Sequence, residues 1–123
     1  MYDLNLTMSC VPAQSDMDTR EITIGAMLRE IAEARPASGA LTEIRQDGSP
    51  GRSWTYGELL AEAEKLARAL STRFTPGERV VVWSPNSPEW VLMEYACALA
   101  GLVLVTANPA FQARELEYVL KQS

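Results

Sequence analysis

The 123-residue chain predicts an α/β fold: a partial parallel sheet with flanking helices plus a short β-hairpin. Three observations predict it. Two apolar, β-branched runs, "VVVW" from Val80 and "LVLVT" from Leu102, enclose an apolar segment of helical length, which is the layout of a strand–helix–strand unit. Two other segments carry apolar stripes at helical spacing. Between those stripes, a Gly/Pro/Asp cluster joins two short strand-like stretches. The length suits one domain with a core of its own, and 47% hydrophobic with 22% charged residues is an ordinary globular balance.

Taken in order, residues 1–20 carry no sustained period and are expected to form an N-terminal arm or extended segment. Ile24, Met27, Leu28, Ile31 and Ala32 then recur on one helical face. Thr23 is the expected N-cap, and Pro36 stops the helix by excluding helical geometry at Arg35. "ALTEIR" (Ala40 to Arg45) and "RSWTY" (Arg52 to Tyr56) read as the hairpin strands, with Leu41 slipping register, and Gln46 to Gly51 as their turn. That glycine-containing turn is not a phosphate loop. A strand follows it where a helix N-terminus is needed, Pro50 removes an N–H donor, and no lysine is near.

The next helix places Leu59, Leu60, Ala63, Leu66, Ala67 and Leu70 on one face. Thr55 and Glu58 have the spacing of a capping box, while Glu64 and Arg68 make an i, i+4 pair on the solvated side. "TPGER" turns the chain. Val80 to Trp83 has the unbroken apolar character of a strand buried on both faces. In the turn after it, Ser87 can cap, Pro88 fits the first helical position, and Glu89 complements the helix dipole. The helix Glu89 to Ala100 is apolar nearly all round and is expected to be buried; Gly101 ends it. With "LVLVT" as the second strand, the connection should be right-handed. "NPAFQARELEYVLKQS" opens a last helix with Leu116, Val119 and Leu120 on one side. No exit turn or closing strand precedes Ser123, so a segment of something larger is expected.

Several function classes are disfavoured. A net charge of −5, with arginines scattered singly, provides no stripe to neutralise nucleic-acid phosphates. No apolar run reaches membrane-spanning length. Histidine is absent, which removes the commonest general base and metal ligand. Cys10 and Cys97 are far apart, and Cys97 in its apolar helix is expected to be a buried free thiol. "MYDLNLTMSC" has neither a basic leader nor an unbroken apolar core, so it is a poor export signal, and the expected location is cytoplasmic.

Ligands of parallel α/β sheets gather at the carboxyl ends of the strands. Two loops qualify, Ser84 to Ser87 and Thr106 to Pro109, and their side-chain candidates are Ser84, Asn86, Ser87 and Asn108. Both loops face a helix N-terminus and can meet an anion, although ordinary capping accounts for each without a ligand. Glu62/Glu64 and Glu115/Glu117 are expected to face solvent, and Asp16 and Asp18 lack a third ligand. No catalytic or metal-binding set is expected.

The order of "TYGELLAEAEKLARAL", "PGERVVVWSPNSPEWVLMEYACALAGLVLV" and "NPAFQARELEYVLKQS" resembles the N-terminal part of the adenylate-forming (AMP-binding) acyl-CoA synthetases. The resemblance runs from about Ile22 to Ser123 and is nearest the medium- and long-chain fatty-acyl-CoA ligase branch. It implies that residues 21–123 are the N-terminal portion of the AMP-binding large domain, truncated (an ANL-type enzyme). It also implies a two-step reaction: a carboxylate attacks ATP to give an acyl-adenylate, and CoA then displaces AMP. The implied substrates are a fatty or other carboxylic acid, ATP and CoA, with Mg2+. The family's phosphate loop ending in Pro-Lys-Gly and its Tyr-x-x-Thr-Glu motif are absent. The resemblance therefore assigns no catalytic residue here, and the segment alone is expected to be inactive. The alternative is a stand-alone α/β binding or interaction module, for instance one that pairs with a second copy through the sheet edge beside Leu102 to Val105. A nucleotide-binding unit using the Ser84–Ser87 turn is a third reading, and it would require ATP binding.

Overall fold

The structure, a computed structural model, describes residues 19–123; the expected N-terminal arm lies almost wholly outside the described residues. The elements run α1 (Ile24–Ala34), β1 (Gly39–Ile44), β2 (Pro50–Thr55), α2 (Tyr56–Ser71), β3 (Arg79–Trp83), α3 (Pro88–Ala100), β4 (Val103–Ala107) and α4 (Ala113–Gln122). The architecture is α/β, as the patterning predicts. β1 and β2 form an antiparallel hairpin, and β3 and β4 a parallel pair.

Helix boundaries follow the caps. Thr23 Oγ1 accepts the Ala26 N–H at 3.2 Å, and α1 ends before Pro36. At α2 both halves of the capping box form: Thr55 Oγ1 accepts from the Glu58 N–H at 3.3 Å, and Glu58 Oε2 accepts from the Thr55 N–H at 2.8 Å. Gly101, at φ 71°, closes α3 in the left-handed region, a conformation costly for other residues. The N–H groups of Gly101 and Leu102 both turn back to the Cys97 carbonyl. The chain then enters β4, whose residues Val103 to Ala107 pair in register with Arg79 to Trp83.

α3 is the hub, packing mainly on α2 and also on α1, β4 and β1. One buried cluster, Ala67, Leu70, Ala96, Cys97 and Leu102, joins α2 and α3 to the start of β4. A second, Leu28, Trp54, Leu59 and Ala63, joins α1 and α2 to the hairpin. Leu99 touches both. Cys97 is a buried free thiol.

Five details depart from the sequence expectation. The core-facing side of α1 is turned toward Gly25: Gly25, Leu28 and Ala32 are buried, whereas Ile24, at 50%, and Met27 are exposed. A Cβ on Gly25 would lie 3.0 Å from Leu99 Cδ2, so the missing side chain lets α1 approach α3 closely. The hairpin turn is tighter than expected, because Pro50 and Gly51 belong to β2 and Asp47 Oδ1 closes the turn on the Ser49 N–H at 2.9 Å. The ladder is irregular on both sides of Leu41–Thr42, as the Leu41 slip predicted. β3 is not buried on both faces: Val80 to Val82 are half-buried, and Trp83 is 51% exposed. Val80 and Leu104 pack against the helices, while alternation turns Val81 and Val105 to the other face, where Val103 is 47% exposed. α3 is correspondingly only half-buried along most of its length, with Pro88, Ala96 and Cys97 fully inside. Finally, α4 buries none of its residues, and Tyr118 and Leu120 are exposed. Among the described residues, no helix is long and apolar enough to cross a membrane.

Candidate functional site

A crevice of about 630 Å³ opens at the carboxyl ends of β3 and β4. It is where the strand-end rule directs attention, and it is built by the end of β4 and the two loops that follow the strands. Ser84, Pro85 and Asn86 supply one wall, Thr106 to Pro109 the other, and Trp90 and Phe111 add aromatic surface.

The sequence candidates separate here. Ser84, Asn86 and Asn108 share the crevice. Ser87 lies instead in an adjoining groove of about 290 Å³, with Asn86 and Pro88, against residues Leu41 to Ile44. Much of the loops' polarity is spent internally. Ser84 Oγ donates to the Pro85 carbonyl at 2.8 Å. Asn108 Oδ1 accepts the Ala110 N–H at 2.9 Å, and its carbonyl accepts both the Phe111 N–H at 2.9 Å and the Trp83 indole N–H at 3.1 Å. Trp83 therefore straps the end of β3 to the loop after β4. Ser87 occupies the N-cap position of α3 in extended conformation, but its side chain makes no capping bond; Pro88 at the first helical position leaves one N–H fewer to satisfy.

Trp90 and Phe111 went unnoticed in the sequence. A signal was present: each aromatic stands three residues beyond a loop residue, Ser87 or Asn108, whose carbonyl turns the chain. None of the residues lining the crevice ionises, so they can enclose and hydrogen-bond a ligand but cannot exchange protons with it near neutral pH. Of the carboxylates that the sequence pairs, three have partners of their own. Glu64 meets Arg29 at 3.3 Å and Arg68 at 3.9 Å, Glu117 meets Lys121 at 2.5 Å, and Glu115 accepts the Gln112 N–H at 2.7 Å. Among the described residues, no group of three or more His, Cys, Asp and Glu side chains is placed to hold a metal ion.

A cluster of charges joins the hairpin to the start of α3. Arg52 Nη1 contacts Glu89 Oε1 at 2.6 Å, and Arg52 Nε contacts Glu43 Oε2 at 3.1 Å. The same guanidinium stands 5.3 Å above the Trp54 ring. Its hydrogen bond, followed by a backbone N–H at the start of α3, pulls the Glu89 carboxyl down to about 2. Glu43 is lowered too, first by the Arg52 side chain and then by its backbone N–H.

This geometry belongs to a recognisable class. Residues 28–123 match the AMP-binding enzyme family, and the chain belongs to that family. A mitochondrial medium-chain acyl-CoA ligase of Pongo abelii is 44% identical over 101 residues, which cover 81% of this chain and 16% of that protein. Its Homo sapiens counterpart is 43% identical over the same shares. Among solved structures, the Mycobacterium tuberculosis fatty acyl CoA synthetase superposes with a TM-score of 0.72 at 30% identity, over 82% of this chain and 20% of that one. The chain thus spans about one sixth of the length of the curated relatives it matches.

Proposed function

We propose that the chain is the N-terminal part of an ATP-dependent fatty-acyl-CoA ligase, forming one wall of its reaction chamber. In that reaction a carboxylate oxygen attacks the α-phosphorus of ATP, pyrophosphate leaves, and the CoA thiol then displaces AMP from the acyl-adenylate. The observation that carries the reading is the 44% identity to a medium-chain acyl-CoA ligase across 81% of the chain; the position of the crevice at the β3 and β4 ends agrees with it. Ser84, Asn86, Ser87 and Asn108 are proposed as contact residues, not reacting ones. The described residues do not fit magnesium, having no cluster of acidic ligands, nor a triphosphate, since no cation lines the crevice. Neutralising the phosphates and placing a metal therefore fall to residues other than the described ones, and the chain alone is expected to be inactive.

Pyrophosphate release tests this. A longer protein carrying these residues should release pyrophosphate with ATP and medium- or long-chain fatty acids, and the 123-residue chain should release none. Turnover by the chain alone would overturn the division of labour, and failure of the longer protein with every carboxylic acid of a panel would overturn the ligase reading. In that event a binding module without catalysis becomes the better account.

A further inference from the structure

We infer that Arg52 is a positioning residue for the crevice, pinning the hairpin to the first turn of α3 and thereby holding the Ser84–Ser87 loop in place. Three independent features converge on it. Its guanidinium joins two elements, taking Glu43 of β1 through Nε at 3.1 Å and Nη2 at 3.5 Å, and Glu89 of α3 through Nη1 at 2.6 Å. A planar guanidinium can serve two carboxylates at once, which a lysine ammonium cannot do in the same geometry. Gly51 clears the space: a Cβ there would lie 2.7 Å from Glu43 Oε2 and 3.1 Å from its Cδ, so a side chain at 51 would displace the carboxylate that anchors Arg52. Trp54, buried in the core cluster of α1 and α2, lies beneath the guanidinium and fixes its height.

What the pin holds is the wall of the site. Glu89 follows Pro88 directly, and the Ser84–Ser87 loop is the short link between the end of β3 and that helix start. Asn86 lines both the crevice and the groove against β1, so a shift of the α3 start relative to the hairpin moves Asn86 in both. Only the consequence for activity rests on the ligase reading; the pin itself is a property of the unliganded chain.

Amide hydrogen exchange read by NMR tests it without any ligand. The Trp90 N–H, bonded to the Ser87 carbonyl at 3.1 Å, reports the first turn of α3, and the Trp83 indole N–H reports the strap between the end of β3 and the loop after β4. Arg52→Ala should speed Trp90 exchange about two- to five-fold, the range of an exposed ion pair, and shift the Ser84–Trp90 resonances. The Glu58 N–H at the α2 cap should not change. Glu89→Gln, which keeps the side-chain shape, should reproduce the effect. Adding it to Arg52→Ala should bring clearly less than Glu89→Gln brings alone, because the Arg52–Glu89 contact is removed only once and only the carboxylate's own contact with the start of α3 is left to lose. Arg52→Lys should recover only part. Equal acceleration at Glu58 and Trp90, additive effects in the double variant, or wild-type exchange at Trp90 in Glu89→Gln would each overturn the inference. Loss of acyl-CoA synthesis with normal Trp90 exchange would count against the pin and leave the ligase reading standing.

Discussion

Replacing Gly101 by Ala tests whether the α3–β4 junction is set by backbone conformation. Gly101 sits at φ 71°, where a Cβ meets its own carbonyl, costing about 1–2 kcal/mol. The substitution also restricts the unfolded chain, which returns about 0.4–1 kcal/mol. A third effect comes from the fold: the new Cβ would lie 3.3 Å from Pro76 Cβ, a tight contact between two neighbouring connections that the Gly77 N–H ties together by donating to the Gly101 carbonyl at 2.8 Å. The two conformational effects leave a net loss of about 0–1.6 kcal/mol, and the Pro76 contact raises the expectation to about 1–2 kcal/mol. Gly77 provides the control. It lies at φ 90° with nothing within 4 Å of an added Cβ, so Gly77→Ala isolates the conformational part. Urea unfolding followed by tryptophan fluorescence reads both variants at constant m-value. Gly101→Ala should lose more than Gly77→Ala, and Gly101→Asn should recover about half, since Asn tolerates the left-handed region. If Gly101→Ala stays within about 0.5 kcal/mol of wild type, or if Gly77→Ala is the more damaging change, the reasoning fails.

Thr55→Ala removes the hydroxyl half of the α2 capping box and should cost about 1 kcal/mol, read by the same unfolding assay; Thr55→Ser should cost much less. Acid should weaken hairpin docking in a defined window. Glu43 and Glu89 are held below their ordinary 4.5, so in the unfolded chain they take up protons first. Their contribution is complete above about pH 4.5 and lost as pH falls below it, for Glu89 toward 2, and Glu89→Gln should flatten that part of the stability–pH curve. Cys97 is wholly buried, and desolvation raises its pKa. In a Cys10→Ser background a thiol reagent should therefore label the chain slowly in buffer and at once in urea; rapid labelling in buffer would contradict the α2–α3 packing.

The site was legible in outline only. Strand-to-helix turns announce themselves through local chemistry, so the Ser84–Ser87 loop fell at the end of β3, whereas the loop expected at Thr106–Pro109 begins two residues later, Thr106 and Ala107 completing β4. Which side chains share a crevice is decided by where α3 and α4 leave those loops, and that separated Ser87 from Ser84, Asn86 and Asn108. Trp90 and Phe111 joined the site for the same reason. The ion pair of Arg52 with Glu89 spans 37 positions of sequence, and no spacing rule for local pairs reaches that far.

By itself the sequence determined the elements and their ends. Period, caps and glycine or proline stops act over a few residues, and the Thr23, Thr55 and Gly101 boundaries fell where those interactions require. Only the tertiary structure decided which faces are covered. Apolar runs at Val80–Trp83 and along α3 announce a capacity for burial, yet burial needs a second surface, and among the described residues the helices supply one to a single face of the β3–β4 pair. Turning α1 so that Gly25 meets Leu99 was likewise invisible locally, because a stripe of large apolar residues marks a helix face whereas the distance of closest approach between two helices is set by the smallest residue between them.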